Sequence, residues 1–412
     1  MHATTVYRKG FGLGREIGPA LQTDYHSELV EWFRHHGGRL EAKDTTLLLA
    51  AEFGFCYGVE RAVAYAYEAR RQFPERQLHI TGEIIHNPHV NKNLKEMGIH
   101  FLSNPDNLEI DVAAVARGDV VILPAFGARS SDLEALEQRG AVLVDTTCGS
   151  VLNVWKNVQR NAQDGFTSII HGKVHHEETR ATASWAMGQN GRGRYLVVRD
   201  MAETEQVCGY IERGGSRNGF LDQFGTAASP DFDPDLHLKR IGVANQTTML
   251  SSESMAIARR LAVSLERRYG RDHRERHFRS FDTICSATQE RQDAVIDLLR
   301  QDLNILVVIG GYNSSNTNHL AELAAQTSTR TYHIQTAGAL QDEHCIRYKP
   351  VGRNQELIEA DWLPAGPLRL GVTAGASTPN NRIGEVLQRL LDLRGMASPL
   401  PGGAEPVPSG TP

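Results

Sequence analysis

The chain has 412 residues, 40% of them hydrophobic and 23% charged, with a formal net charge of -5. That is an ordinary globular composition with enough chain for two or three domains, and the mild negative balance gives no electrostatic reason to expect nucleic acid as a partner. No run of about 18 apolar residues suggests a membrane span, and the opening segment MHATTVYRKGFGLGREIGPALQ lacks a signal-peptide core, so a cytoplasmic address and small-molecule work are expected.

Residues 1–44 are weakly periodic, with one helical stretch at 28–34, and read as an N-terminal extension. From Thr45 onward short apolar runs alternate with helical patterns, the signature of α/β units around mostly parallel sheets. Strands are predicted at 45–51, 77–81, 120–123, 141–144, 167–170, 194–198, 241–244, 303–309, 331–334 and 368–373. Helices follow several of them. Val59, Ala62, Val63 and Ala66 recur at i, i+3, i+4, i+7, as do Val151, Val154, Trp155 and Val158, and Ile383, Val386, Leu387 and Leu390. The pattern divides into α/β domains at 45–146, 147–280 and 281–395. Residues 208–240, rich in Gly, Asp, Pro and Ser, read as a long surface loop within the second. The tail 396–412 should be disordered.

The five cysteines, odd in number and scattered, argue against a disulfide framework. Cys56 (GFCYGVERAV), Cys148 (VDTTCGSV) and Cys285 (DTICSATQERQ) each directly precede a periodic helix, and the first two directly follow an apolar run. A helix start lowers a thiol's pKa through its unpaired N–H groups and dipole, and the thiolate is the metal-binding form. Three thiolates from distant segments suit an iron-sulfur cluster, or less well a zinc site completed by histidine. A buried core cysteine is the ordinary reading of any single one, but the repeated setting weighs against it for all three. Cys208 and Cys345 lack that setting and read as structural.

Further strand ends lead into polar loops: GEIIHNPHV with His86, HGKVHHEETRATAS with His176 and Glu178, NQTTMLSSE with Thr247, GGYNSSNTNHLAEL with Ser314, Ser315 and Asn316, and AGASTPNN with Ser377. Glycines, then Ser or Asn, then a helix offer backbone N–H groups, hydroxyls and a positive dipole end to an anion. Neither of the last two loops has a P-loop lysine, which disfavours a nucleotide hydrolase. Ordinary N-capping is the alternative for the serines, and a solvated carboxylate for Glu178. His176 with Glu178 otherwise suits proton delivery. The basic run RDHRERHFR is most simply a solvated segment, or else a docking strip for an acidic electron donor.

Taken in order, GFCYGVERAV, GEIIHNPHVN, DTTCGSV, HHEETRATAS, NQTT, DTICSATQERQ, GGYNSSNTNHLAEL and GVTAGASTP resemble the 4-hydroxy-3-methylbut-2-enyl diphosphate reductase family over residues 45–394. The resemblance implies three pseudo-equivalent α/β domains in a trefoil around one [4Fe-4S] cluster. It also implies reductive dehydroxylation of an allylic diphosphate to isopentenyl and dimethylallyl diphosphates, the last step of the methylerythritol phosphate route. By motif position Cys56, Cys148 and Cys285 would hold the cluster. His86, His176, Ser314, Ser315, Asn316 and Ser377 would bind the diphosphate, Thr247 would adjoin the substrate hydroxyl, and Glu178 would deliver protons. A ferredoxin or flavodoxin would supply the electrons. Where many members read Ala-His-Gly and use that histidine on the diphosphate, this chain has Ala125, Phe126 and Gly127; with the extension 1–44 and the 208–240 loop it resembles the longer branch of the family. Two rivals remain: a quinolinate synthase-like three-domain cluster enzyme, which the His-x-Glu loop fits poorly, and a non-catalytic iron-sulfur sensor, for which no DNA-binding module is evident.

Overall fold

The computed structural model describes residues 5–104, 107–188, 190–281 and 283–401. All ten predicted strands are present, with ends displaced by no more than two residues. They form three largely parallel sheets. The fold class is α/β, with helices covering strands that read as unbroken apolar runs because both faces are buried. Val120–Leu123, Ile241–Asn245 and Ile305–Ile309 are buried at every position. Among the described residues no helix is long and apolar enough to cross a membrane.

Contact density separates two compact units. The first comprises Met1–Phe11, Tyr65–Ile84 and Leu94–Ser286 and holds two sheets. In one, the order is Val6–Tyr7, Val142–Asp145, Val120–Leu123, Leu78–Ile80, Ile99–Phe101; in the other it is Phe278–Ser280, Ile241–Asn245, Thr167–His171, Arg194–Val198, and every pairing is parallel. The helix Gly149–Gln163 lays Val151, Val154, Trp155 and Val158 inward at the predicted spacing.

The second unit comprises Gly12–Ala64, Ile85–Asn93 and Ala287–Pro412. Its sheet runs Arg330–Ile334, Ile305–Ile309, Leu368–Ala374, Thr45–Leu49, Arg39–Ala42, parallel except for the last, and a hairpin joins Cys345–Tyr348 to Leu357–Ala360. Thr45–Leu49, expected at the head of the first domain, thus pairs with Leu368–Ala374 from the far end of the chain. The apolar stripe of Asn380–Leu393 closes one core with Leu29, Val30 and Phe33.

Two expectations need correction. Of the expected extension 1–44, the described residues 5–44 are not appended: Val6–Tyr7 is an edge strand, and Glu28–His35 is a core helix capped by Ser27. Nor are residues 208–240 a loop. Cys208 lies inside the helix Met201–Arg213, and the helices Arg217–Phe224 and Pro234–His237 follow. The residues that suggested a loop are the punctuation between helices: Gly214, at φ +71°, ends the first, while Ser216 and Asp233 cap the next two. Phe220, Phe224 and Phe232 are buried beneath them. Of the tail predicted to be disordered, residues 402–412 lie outside the described residues, and Met396 is buried in the core.

Candidate functional site

Each of the three sheets ends in one cysteine loop. Thr45–Leu49 leads to Cys56, Val142–Asp145 to Cys148, and Phe278–Ser280, a strand the sequence does not announce, to Cys285. The carboxyl ends of parallel strands are where α/β folds gather ligand sites.

In the first unit Cys148 is the N-cap of Gly149–Gln163, its N–H donating to the Ala125 carbonyl at 2.8 Å. The turn before it is fixed by the Thr146 hydroxyl, which donates to the Leu123 carbonyl at 2.5 Å, and by the Thr147 N–H on Asp145 Oδ1 at 3.0 Å. Cys285 is half-buried and anchored by its N–H on the Thr247 carbonyl at 3.4 Å. Burial pushes the Cys148 thiol above its ordinary range. The Ser150 amide opposes that, while the charges of Cys285 and Glu178 push further upward. Cys148 therefore lies close enough to Cys285 and Glu178 to feel the charge of each. A thiol that burial and neighbouring negative charge keep protonated, as at Cys148, is stabilised as a thiolate when a cation joins it, which is the donor chemistry of an iron-sulfur or zinc centre.

Glu178 is 2% exposed. Its carboxylate accepts the Thr247 N–H at 2.5 Å, so the loop after Ile241–Asn245 is tied to the loop after Thr167–His171. His176 caps the helix Glu177–Ala186, its Nδ1 accepting the Glu178 N–H at 3.2 Å, and the Phe126 ring meets the imidazole edge-on at 6.3 Å. The position where a histidine occurs in many resembling sequences thus holds a buried aromatic packed on His176.

Several residues that hold this arrangement went unremarked in the sequence. Gln246 is fully buried and accepts from the Lys173 N–H at 3.2 Å and from the Thr179 hydroxyl at 3.1 Å, while its amide donates to the Thr248 hydroxyl at 2.8 Å. Glu109 takes a two-pronged contact from Arg129 at 2.8 and 2.7 Å and a third from Arg180 at 2.5 Å. Arg129 chiefly, and Arg180 with it, hold that carboxyl down to about 2. Neither signal is periodic, and only the neighbourhood of Gln246 to Thr247 hinted at it.

In the second unit His86, Ser314, Ser315, Asn316 and Ser377 come together. Ser314 is the N-cap of Ser315–Ala325, as ordinary capping would have it, with its Oγ accepting from Thr317 N–H at 3.3 Å. The Ser377 hydroxyl lies 3.4 Å from Ser314 Oγ and 3.2 Å from the His86 carbonyl. Asn316 Oδ1 accepts the Ala376 N–H at 2.9 Å, yet its Nδ2 and the Ser315 Oγ are buried with no partner among the described residues. Unspent donors at a helix N-terminus are what an anion would satisfy. Glycine is obligatory at two points: a Cβ on Gly311 would lie 2.4 Å from the His86 carbonyl oxygen, and one on Gly375 would lie 1.9 Å from Thr317 Oγ1. Cys56 joins this group, its N–H donating to the Ala376 carbonyl at 3.2 Å. Arg291 braces the loop before it, donating to the carbonyls of Gly54 and Phe55. Cys208, by contrast, is fully buried in an apolar core, its thiol pushed up to about 11, and Cys345 lies on a hairpin strand.

The LytB protein family matches residues 47–391. The chain is 47% identical to the 4-hydroxy-3-methylbut-2-enyl diphosphate reductase of Thermosynechococcus vestitus, over 97% of both proteins. It is 46% identical to the enzyme of that name from Gloeobacter violaceus, over 99% of this chain and 100% of the relative. A solved structure of (E)-4-hydroxy-3-methyl-but-2-enyl diphosphate reductase, described as the terminal enzyme of the non-mevalonate pathway, covers 85% of this chain and all of its own, with 25% identity and a TM-score of 0.51. The reductase structure from Plasmodium falciparum, 20% identical with a TM-score of 0.61 over 84% of this chain and 87% of its own, shares the fold.

Proposed function

Because the chain belongs to the LytB protein family, we propose that it reduces (E)-4-hydroxy-3-methylbut-2-enyl diphosphate, the substrate for which its relatives are named, to isopentenyl and dimethylallyl diphosphates. The observation that carries the reading beyond the name is the gathering of the half-buried Cys148 and Cys285 with the buried Glu178 carboxylate, Thr247 being hydrogen-bonded to both Cys285 and Glu178. Nearly full-length likeness to reductases leaves the quinolinate synthase-like and sensor readings without support.

Cys56, Cys148 and Cys285 would hold one [4Fe-4S] cluster, which when bound supplies electrons to the substrate. Three pseudo-equivalent α/β domains in a trefoil are part of the same reading, supported by three sheets that each end in one of these cysteines, with Thr45–Leu49 counted in the third sheet and not in the first domain. Ser315 Oγ and Asn316 Nδ2, with Ser314, Ser377 and His86 around them, bind the diphosphate through donors that the fold leaves unspent. His176 assists, held in place by its cap and by Phe126. Glu178 hands a proton to the substrate. Its fixed oxygen on Thr247 N–H orients the carboxyl, and burial keeps bulk water away. Thr247 adjoins the substrate hydroxyl. A ferredoxin or flavodoxin supplies the two electrons and the reaction takes place in the cytoplasm.

The test is an anaerobic incubation of iron-loaded protein with the allylic diphosphate and a chemical reductant. Formation of five-carbon diphosphates is expected, and absence of conversion by protein with a full iron complement would overturn the assignment.

A further inference from the structure

The chain carries a net charge of -5, yet residues 255–279 contain eight arginines against three acidic side chains, Glu266, Asp272 and Glu275. Within the first unit these residues form most of the helix Ser251–Tyr269, the turn Arg271–His273, the helix Arg274–His277 and the strand Phe278–Ser280. Arg259, Arg268, Arg271, Arg274 and Arg276 are exposed, Arg271 at 90% of its side chain. The counter-charges are partial. Glu266 reaches Arg274 at 3.2 Å and Arg271 at 4.0 Å, while Glu212 and Asp164 answer Arg260, Arg267 and Arg279.

Beside this strip opens a groove lined by Met255, Ala258, Arg259, Arg274, Phe281 and Ile284. Met255 stands 51% exposed on it. Ile284 is the residue before Cys285, so the loop that carries a candidate cluster ligand also forms a wall of the groove. That loop is pinned from behind. The Asn245 N–H donates to Thr283 Oγ1 at 3.2 Å, the Thr283 hydroxyl donates back to Asn245 Oδ1, and the Cys285 N–H is held by Thr247, whose own N–H is on Glu178.

We propose that this groove is the docking site of a small acidic one-electron carrier protein, seated against the Cys285 loop. The inference rests on the reductase reading and adds to it the surface by which electrons enter. Reduction of the substrate breaks one C–O bond. The hydroxyl leaves as water with one proton, the carbon skeleton receives the other proton, and two electrons are consumed. Each carrier is oxidised by one electron, so two dockings serve one turnover, and the contact must release as readily as it forms. A small apolar centre of Met255, Phe281 and Ile284 with an arginine rim fits that need: the rim steers encounter, the adaptable methionine fills the middle, and neither makes a tight complex.

The test uses the iron-loaded protein, an acidic plant-type [2Fe-2S] ferredoxin as probe, and the charge-reversed pair Arg259→Glu/Arg274→Glu. An Arg139→Glu/Arg300→Glu pair, also on the surface, controls for the same change in net charge. By titration calorimetry the variant should bind the carrier at least tenfold more weakly, ~1.4 kcal/mol, with the control close to wild type and the wild-type affinity falling as salt rises. Turnover driven by the reduced carrier should fall at least tenfold, while turnover driven by a small chemical reductant stays within twofold. Unchanged carrier binding and carrier-driven turnover would overturn the proposal, as would preferential binding of RNA or of anionic vesicles at this strip. If wild-type protein makes no product even with the chemical reductant, the reductase reading fails by that result alone, and the binding measurement still judges the docking site. The milder Arg259→Gln/Arg274→Gln pair, which removes two charges without reversing them, should weaken binding by an intermediate factor.

Discussion

At the scale of single residues the two kinds of cysteine separate by surroundings. Cys56, Cys148 and Cys285 sit in loops whose backbone is pinned by neighbouring strand ends, whereas Cys208 fills an apolar core and Cys345 lies on a hairpin. Replacing any of the first three by Ser should remove most of the bound iron and the brown colour, because a cluster deprived of one more thiolate is poorly held. Cys208→Ser and Cys345→Ser should retain iron at wild-type stoichiometry, and a full complement in the Cys148 variant would contradict the ligand assignment. Glu178 tests a different function. In Glu178→Gln the amide oxygen still accepts the Thr247 N–H that the carboxylate accepts at 2.5 Å, so the loops stay tied and iron content should be unchanged. What is lost is the transferable proton. Turnover should drop on the order of 100-fold while substrate still perturbs the cluster spectrum. Near-normal turnover would take Glu178 out of the chemistry, and loss of iron would make it structural.

At the scale of elements, Arg217–Phe224 and its neighbours show how a stretch with loop composition becomes ordered. The helix is only eight residues long and would be marginal alone, but it buries Phe220 and Phe224 against Val207, Ile211 and Leu261. Phe224→Ala should therefore cost about 3–5 kcal/mol, seen as a lower urea midpoint, with iron content and turnover at 20 °C retained. A midpoint shift worth less than about 1 kcal/mol would mean the helix is a passive cover. The same region explains what could and could not be read from the sequence. Periodicity located ten strands and the cysteine helices because each carries its own pattern, and the loops of Cys56 and Cys148 stood out because strand and helix signals flank them, whereas that of Cys285 had only the helix signal after it. Gly214, Ser216 and Asp233 were misread because a helix cap and a loop draw on the same residues. The pairing of Thr45–Leu49 with Leu368–Ala374 left no local trace, since strand partnership is decided by packing between segments far apart in the chain. Gln246 and Glu109 were invisible for a related reason: their importance lies in partners that only the fold supplies.

At the scale of the whole molecule, each compact unit encloses one histidine that burial holds far below its ordinary range. In the first unit His171 is fully buried at the end of Thr167–His171, with Nδ1 2.7 Å from Ser254 Oγ, and burial lowers its pKa to about 4. His333, in the second unit, faces the Gly310 carbonyl at 3.1 Å through Nε2 and is likewise lowered to about 4 by burial. Since the unfolded chain would protonate both near 6.5, folding must keep them neutral. Their contribution to stability is fully present above about pH 6.5 and is lost as the pH falls toward 4, because the unfolded state then binds the protons that the folded state refuses. Between pH 7 and pH 5 each histidine should remove ~2 kcal/mol, so acid should weaken both units well before most carboxylates titrate. Urea midpoints at pH 7 and pH 5 give the total, and His333→Gln isolates one share: whatever the substituted chain's stability at pH 7, its decline to pH 5 should be smaller by ~2 kcal/mol. If wild type and His333→Gln decline equally, His333 is not the acid-sensitive group, and the weakness of the second unit in acid must lie elsewhere.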